Sequence, residues 1–450
     1  MNALQQVWGA IGGRPADLTS VTVTSPDEIL PSIFKVTEAA TAAVAASTLA
    51  AARLWHTRSG PAPEVVVDGR AAVTAFRSER YLRVDGVAPP VWGPLSGDYP
   101  TEDGWVRLHC NYPAHYRAVL RALAVPESAV ARTLRTSSAV AVEEAVLAAG
   151  GVAAAQRSRS QWLASPQARA LARVPLVELT SRYDTPRRPL GPAERPLSGV
   201  RVLDLTRVIA GPVAGRTLAA HGADVLRVGA DHLELVDALV VDTGFGKRFC
   251  HLDLRTPEGR DALRTLVRQA DVLLQAFRPG ALAQLGLGPA DCAALNPGLV
   301  TVSVSAYGQT GPWSGRRGFD SLVQMATGFT HETATAADSA VPVPLPAQLL
   351  DHATGHLAAL AAIEGLRRRA QHGGSWHAEV SLARTGAWLD GLGRIDGLGL
   401  PPVEVADLLT ETDTPFGRVR HVRPAGTIAG QAPYWASPPH RPGADPAAFA

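Results

Sequence analysis

One carboxylate stands out for its setting. The run 346–366 reads Pro-Ala-Gln-Leu-Leu-Asp-His-Ala-Thr-Gly-His-Leu-Ala-Ala-Leu-Ala-Ala-Ile-Glu-Gly-Leu. A short apolar lead-in ends at Asp351, and small helix-forming residues follow at once. The pattern predicts a helix that begins immediately after Asp351, with Asp351 as its N-cap, because an Asp side chain accepts bonds from the free N–H groups of a first turn. Those groups and the helix dipole favour the ionised carboxylate. A carboxylate held this way among small residues can also attack a carbonyl carbon. Taken alone, the residue reads as an ordinary cap.

Other chemistry-bearing types are sparse. His352 and His356 have the i,i+4 spacing of a metal-binding helix but no glutamate between them, and His331-Glu332 adds no further ligand, so no metal site is predicted. They read as helix-face histidines. No Gly-x-Ser-x-Gly elbow is present, and no Gly-x-Gly-x-x-Gly follows the first strand of the second half. Lysine is nearly absent: only Lys35 and Lys247 occur, and arginine carries the remaining positive charge. A net charge of +2 gives no electrostatic case for nucleic acid or an acidic membrane. Three cysteines, Cys110, Cys250 and Cys292, cannot make a disulfide framework and fit a reducing cytoplasm. The N-terminus lacks the basic region and continuous apolar core of a signal peptide, and the longest apolar runs are too short to span a bilayer.

The elements that must position these residues fall into two styles. Residues 1–29 form a loose lead. Residues 30–91 read as a helix–strand–helix segment expected to pack on the large domain, with an Ala-rich helix over 37–54 and a Val-rich strand at 64–68. Residues 92–185 read as a small α+β domain, with two short strands around Asp103-Gly104 and helices at 112–123, 127–134, 139–149 and 159–171. A Pro/Arg-rich linker, 186–196, follows. From 197 to 390 strands at 200–205, 224–228, 271–274 and 299–304 alternate with helices at 211–221, 257–268, 289–295 and 320–327. That rhythm predicts an α/β domain, an open parallel sheet with flanking helices. Residues 391–450, rich in Gly and Pro, read as a wrapping tail. Laid without a gap, 38–60 falls on 351–373, so that Glu38 meets Asp351, Ala40 meets Ala353 and both segments close on glycine.

Six pieces of 197–324 occur in the order found in one family. They are Leu-Ser-Gly-Val-Arg-Val-Leu-Asp-Leu-Thr-Arg-Val-Ile-Ala-Gly-Pro (197–212), Leu-Ala-Ala-His-Gly-Ala-Asp-Val-Leu-Arg-Val (218–228) and Gly-Lys-Arg (246–248) with Leu-Asp-Leu-Arg-Thr-Pro-Glu-Gly-Arg (252–260). Then come Ala-Asp-Val-Leu-Leu-Gln-Ala-Phe-Arg-Pro-Gly (270–280), the Asn-Pro-Gly to Thr-Gly-Pro run (296–312) and Gly-Phe-Asp-Ser-Leu-Val-Gln (318–324). With the Asp351 helix after them, the chain resembles the family III CoA-transferases, which include formyl-CoA transferase, carnitine CoA-transferase and the α-methylacyl-CoA racemases. Residues 92–178 resemble the small domain of the same family, which here precedes the nucleotide-binding half, so the domain order is rearranged.

The resemblance implies an acyl-CoA:carboxylate CoA-transferase acting through an aspartyl anhydride and an aspartyl-CoA thioester, with Asp351 in the catalytic position. It implies coenzyme A and acyl-CoA as substrates with a carboxylic acid as co-substrate, no tightly bound cofactor, and a homodimer. Contacts to CoA are implied for Ala210, Gly246, Lys247, Phe277, Arg278, Ala306, Tyr307 and Gly308. Lys247, Arg248 and Arg278 suit phosphates by charge and hydrogen bonding, or else form a solvated basic surface. Tyr307 suits core packing as well as a ligand contact. Ile209, where formyl-CoA transferase has glutamine, points to a larger or more apolar acyl group. Phe319 stands where the racemases have histidine and cannot move a proton. A silent CoA-ester-binding protein is the alternative from another class, and a racemase or isomerase the third.

Overall fold

The computed structural model describes residues 1–25, 27–401 and 403–450. Its largest sheet has seven strands: β1 (Glu178–Tyr183), β2 (Arg201–Leu205), β3 (Asp224–Gly229), β4 (Lys247–His251), β5 (Val272–Gln275), β6 (Val300–Ser305) and β7 (Ser375–Ser381). They lie in the order β4-β3-β2-β5-β6-β7-β1. All neighbours are parallel except β1, which runs antiparallel along β7. Runs such as Val300-Thr-Val-Ser-Val are buried along their length, as expected of strands covered on both faces. The order in which strands are added across the sheet reverses between β2 and β5, and the carboxyl ends of a parallel sheet at such a switch point form a ready crevice.

Four of these strands are legible as apolar runs. The other three are not. Strand β4 reads Lys-Arg-Phe-Cys-His and β7 reads Ser-Trp-His-Ala-Glu-Val-Ser, so their membership comes from backbone pairing rather than from a hydrophobic signal. The helix expected over 159–171 is two helices, Arg159–Leu163 and Pro166–Leu171, because the proline starts a new helix capped by Ser165.

Four helices frame the centre: α1 (Val36–His56), α2 (Ala210–Ala220), α3 (Asp320–Thr327) and α4 (Leu349–His372). Helix α4 is buried over nearly its whole length and packs on α1, α2 and the sheet. Small residues make that approach possible. A Cβ on Gly355 would lie 2.6 Å from the Ala210 carbonyl oxygen, and one on Gly365 would lie 2.7 Å from Val300.

The matching segments 38–60 and 351–373 share geometry as well as composition. Lys35 before α1 has φ −77° and ψ 67°, and Gln348 before α4 has φ −76° and ψ 61°. The Glu28 carboxylate accepts the N–H groups of Thr37 (2.8 Å) and Glu38 (2.9 Å), while the Asp320 carboxylate accepts the N–H of Asp351 (2.9 Å). Two equivalent helix starts, each held by an acid from an upstream segment, thus lie side by side in one chain.

The chain between them builds a smaller unit with its own core. Strands Gly97–Pro100, Trp105–Leu108 and Ala153–Ala155 form an antiparallel sheet, against which Pro113–Leu123, Val130–Arg135 and Ala139–Ala148 pack through Val119, Val130, Leu134, Val142 and Val146. Glu143 fastens it to the large sheet side, taking Arg157 at 2.8 Å and Arg316 at 2.8 Å. The final segment returns across β4, where the Asp445 carboxylate accepts the Phe249 N–H at 2.7 Å. Among the described residues no helix is long and apolar enough to cross a membrane, and no cluster of His, Cys, Asp and Glu could hold a metal ion. The three cysteines are free and buried.

Because α1 covers the apolar face of α4, residues 197–450 expressed alone should expose that face and aggregate. Recovery of a soluble, cooperatively folded fragment by gel filtration and calorimetry would refute this.

Candidate active site

The turn after β2 is built by an acid beneath it. The Asp204 carboxylate accepts the Thr206 N–H at 2.9 Å and the Thr206 hydroxyl. It is itself held by Lys247, whose Nζ lies 2.9 Å from Asp204 and 2.7 Å from the Pro212 carbonyl oxygen. Val208 then takes φ +74°. A β-branched residue in the left-handed region is strained, and the strain lies on the turn that carries Arg207 and Ala210 into a cleft.

After β5, Gln275 accepts the Phe277 N–H at 2.8 Å and donates to Ser303 at 2.6 Å, which presents Phe277 and Arg278. Ser305 and Ala306 follow β6. The segment Arg316-Arg317-Gly318-Phe319 closes in from α3, passing so near Ala306 that a Cβ on Gly318 would lie 2.6 Å from the alanine Cβ. These turns enclose a cavity of about 570 Å³ at the carboxyl ends of the strands. Asp351 lies on its wall, and the small unit supplies Tyr112, His115 and Arg117.

Asp351 is not the N-cap. Helix α4 starts at Leu349 after Gln348, which places Asp351 in the first turn. The apolar Leu-Leu pair that reads as a lead-in is already helical, because the Asp320 carboxylate, not Asp351, takes the free N–H of this helix start. The Asp351 side chain is 5% exposed, and among the described residues no donor is hydrogen-bonded to its carboxylate. Burial, then the neighbouring carboxylates of Asp320 and Glu79, raise its pKa well above the ordinary value. Burial also raises Asp320, to about 6, despite the bonds it accepts from Asp351 and Gln324. A buried, unbonded carboxylate with a raised pKa that faces a cavity is a candidate functional group.

Of the residues singled out from sequence, Ala210, Phe277, Arg278, Ala306 and Asp351 meet on this cavity. The others lie apart. Lys247 is 2% exposed and serves as an internal strut between β4, β2 and α2. Arg248 pairs with Asp224 at 2.7 Å and donates to Ala448 in the tail at 2.8 Å. Gly246 takes φ +74° against Ala219 and Trp435. Tyr307 is buried edge-on to Trp313, and its carbonyl accepts Gln167 at 2.7 Å. Gly308 turns the chain beside Leu171 with φ +86°. Ile209 points into an apolar cluster with Val213 and Leu239, so it is not the residue facing the cavity. Its neighbours Arg207 and Val208 are.

Sequence reasoning missed the wall contributed by the first half of the chain. His109 stacks on Phe319 with ring centroids 3.7 Å apart and planes 5° apart. Burial holds His109 at about 3 and His115 at about 4, so both are neutral near pH 7. Arg317 is lowered by burial and by repulsion from Arg278 and Arg207, so three guanidiniums share one mouth of the cavity. Such a cluster suits an anion by charge and hydrogen bonding. His352 is buried and His356 half-buried, and both stack on Phe76, at 5.4 and 5.5 Å. No local pattern marks Tyr112, His115 or Glu79 as site residues, since they lie in a different unit.

Residues 197–392 match the profile of "CoA-transferase family III". This part of the chain is similar to CoA-transferase family III. Among similar proteins, "Probable fatty acyl-CoA transferase Rv3272" of Mycobacterium tuberculosis is 36% identical over 192 residues, 40% of this chain and 48% of that protein. The "Succinate--glutarate CoA-transferase" of Agrobacterium fabrum is 36% identical over 205 residues, 42% of this chain and 51% of that protein. A crystal structure of the M. tuberculosis protein, orthorhombic form, covers 44% of this chain and 57% of its own with 35% identity and a TM-score of 0.41. The chain thus spans about half the length of these relatives. The part that matches the profile holds Asp351, the strand-end turns and the cavity arginines Arg207, Arg278, Arg316 and Arg317.

If the arginine cluster receives phosphates, Arg278→Ala and Arg207→Ala should each weaken CoA binding several-fold, more at low salt than at high salt. Calorimetric titration at two ionic strengths measures this, and unchanged affinity in both variants would exclude the cluster as the phosphate subsite.

Proposed function

We propose that the protein is an acyl-CoA:carboxylate CoA-transferase in which Asp351 accepts the acyl group. The observation that carries this reading is the Asp351 carboxylate: it lines the cavity at the carboxyl ends of the parallel strands, desolvated and without a hydrogen-bond donor. Ionised Asp351 attacks the thioester carbon, the C–S bond breaks, and CoA leaves as its thiolate. The thiolate then attacks the Asp351 carbonyl carbon of the anhydride, and the first acid leaves as a carboxylate. An acceptor carboxylate reverses the two steps, leaving its own CoA ester and free Asp351. Arg207, Arg278 and Arg317 provide positive charge for the anionic parts of acyl-CoA.

The relatives named above support the reaction class, and no tightly held cofactor is required by it. One chain brings both repeated helices together, packed on each other. Sedimentation velocity decides whether it works as a single chain or as the homodimer that the resemblance implies.

Incubation of the wild-type chain with a panel of acyl-CoAs, followed by intact and peptide mass spectrometry, tests the proposal. A CoA or acyl adduct on the Asp351 peptide is expected. No adduct and no exchange with any donor would replace it with the silent CoA-ester-binding reading.

A further inference from the structure

Glu79 lies on the short helix Ser78–Tyr81, far from Asp351 in sequence and outside the family III part. That helix is anchored to the large unit. The Ser78 hydroxyl donates to Asp242 at 2.8 Å and accepts from Arg216 at 3.2 Å, and Arg216 in turn pairs with Asp242 at 3.2 Å. The anchor carries the Glu79 carboxylate to the start of α4. Oε2 lies 3.2 Å from His352 Nε2, and Oε1 lies 3.5 Å from Gln348 Nε2. Glu79 and His352 are 3% and 1% exposed at their side chains. Burial works to raise Glu79, but the His352 bond and charge outweigh it and hold it lowered, so it remains an anion.

We propose that Glu79 is a positioning residue for Asp351: it fixes the first turn of α4 through His352 and Gln348 and keeps a permanent negative charge beside the reacting carboxylate. The charged and titratable groups around Asp351 are Asp320 from α3 and Glu79 from the N-terminal unit, with His352 of α4 bonded to Glu79, and His115, Arg117, Arg207, Arg278, Arg316 and Arg317 on the walls of the same cavity.

The arrangement favours the covalent intermediate. Acylation removes the negative charge from Asp351, and that charge leaves the protein on the released acid once the aspartyl-CoA thioester has formed. Two fixed acids in a dry site therefore destabilise the free aspartate relative to the neutral adduct. This part of the inference rests on the transferase reading, whereas the effect of Glu79 on Asp351 ionisation does not.

Infrared difference titration of the ligand-free protein, with the Asp351 carboxyl band assigned by its loss in Asp351→Asn, reads the ionisation directly. Glu79→Gln should lower the Asp351 midpoint by roughly one pH unit, a roughly tenfold change in its ionised-to-protonated ratio. Glu79→Asp, which restores the charge, should recover most of the shift. A parallel measurement on acyl-CoA-treated protein above that midpoint should show several-fold less Asp351 adduct in Glu79→Gln than in wild type. Should Glu79→Gln fail to fold, His352→Gln tests the same coupling from the other side: without its partner, burial raises Glu79 and neutralises it, so the Asp351 midpoint should fall as in Glu79→Gln. An unchanged Asp351 midpoint in the folded variant, or a Glu79→Asp midpoint equal to that of Glu79→Gln, overturns the inference. A shifted midpoint with no adduct in any variant upholds the effect of Glu79 on ionisation and overturns the transferase reading instead.

Discussion

Asp351→Asn is expected to abolish transfer, by on the order of a thousandfold or more, while leaving the chain folded and able to bind acyl-CoA. Asparagine has the same size, and because Asp351 caps nothing, the substitution removes no cap bond. It removes the proposed nucleophile. It also removes one of two crowded carboxylates, so the variant should be more stable than wild type at neutral pH. Asp351 and Asp320 both have folded-state values raised above the ordinary 3.8. A raised acid contributes its stability below the unfolded value and loses it as pH rises through the folded value. Wild type should therefore lose stability from about pH 3.8 upward, through about 6 for Asp320. The variant should be spared the Asp351 part of that loss, so its gain over wild type should be clear near pH 7 and small at pH 4. Thermal unfolding across this range, beside turnover assays, measures both effects. Full turnover would exclude Asp351 as the acyl acceptor, and a neutral-pH loss of stability would contradict the crowding of the two acids.

Lys247→Ala should act on the fold rather than on ligand affinity. Asp204 is wholly buried, and Lys247 is its only cationic contact among the described residues. Helix α2 passes so closely over the pair that a Cβ on Gly215 would lie 2.6 Å from the Asp204 carboxylate. Removing the ammonium leaves a buried acid with only the Thr206 bonds, a loss of about 3–5 kcal/mol. Urea unfolding should show it, whereas the salt dependence of CoA binding by the folded fraction should match wild type. A second signature is the pH profile. Burial lowers Lys247 from 10.5 to about 8 in the folded chain, partly offset by Asp204. Between those values the unfolded chain binds more protons at this residue, so its contribution to stability rises with pH. The variant should lack that rise. Near-normal stability with a flattened salt dependence would make Lys247 a phosphate contact after all.

The contrast between Lys247 and Arg278 shows what a local pattern can carry. Both fall in conspicuous basic motifs, and both side chains suit phosphate. Arg278 follows the carboxyl end of β5 and opens onto the cavity, while Lys247 begins β4 and turns beneath α2. Which face a strand residue presents depends on the register of its neighbours. The Lys-Arg-Phe-Cys-His strand has too little apolar signal for that register to be read from the chain.

The sequence by itself determined the strand–helix alternation after residue 197, the positions of the turns after β2, β5 and β6, and the choice of Asp351. These follow from short-range order: β-branched runs, helix-forming runs of small residues, and motifs whose spacing is set by one turn. Only the tertiary structure decided that Asp320 rather than Asp351 receives the first-turn N–H of α4. It also decided that Ile209 turns away from the cavity while Arg207 faces it, and that Glu79, Tyr112 and His115 arrive from the other half of the chain. The physical reason is that desolvation and like-charge crowding depend on what packs around a group. Here the packing comes from α1, the Ser78–Tyr81 helix and the small unit, hundreds of residues away along the chain and pressed against α4 by burial of its alanine-rich faces.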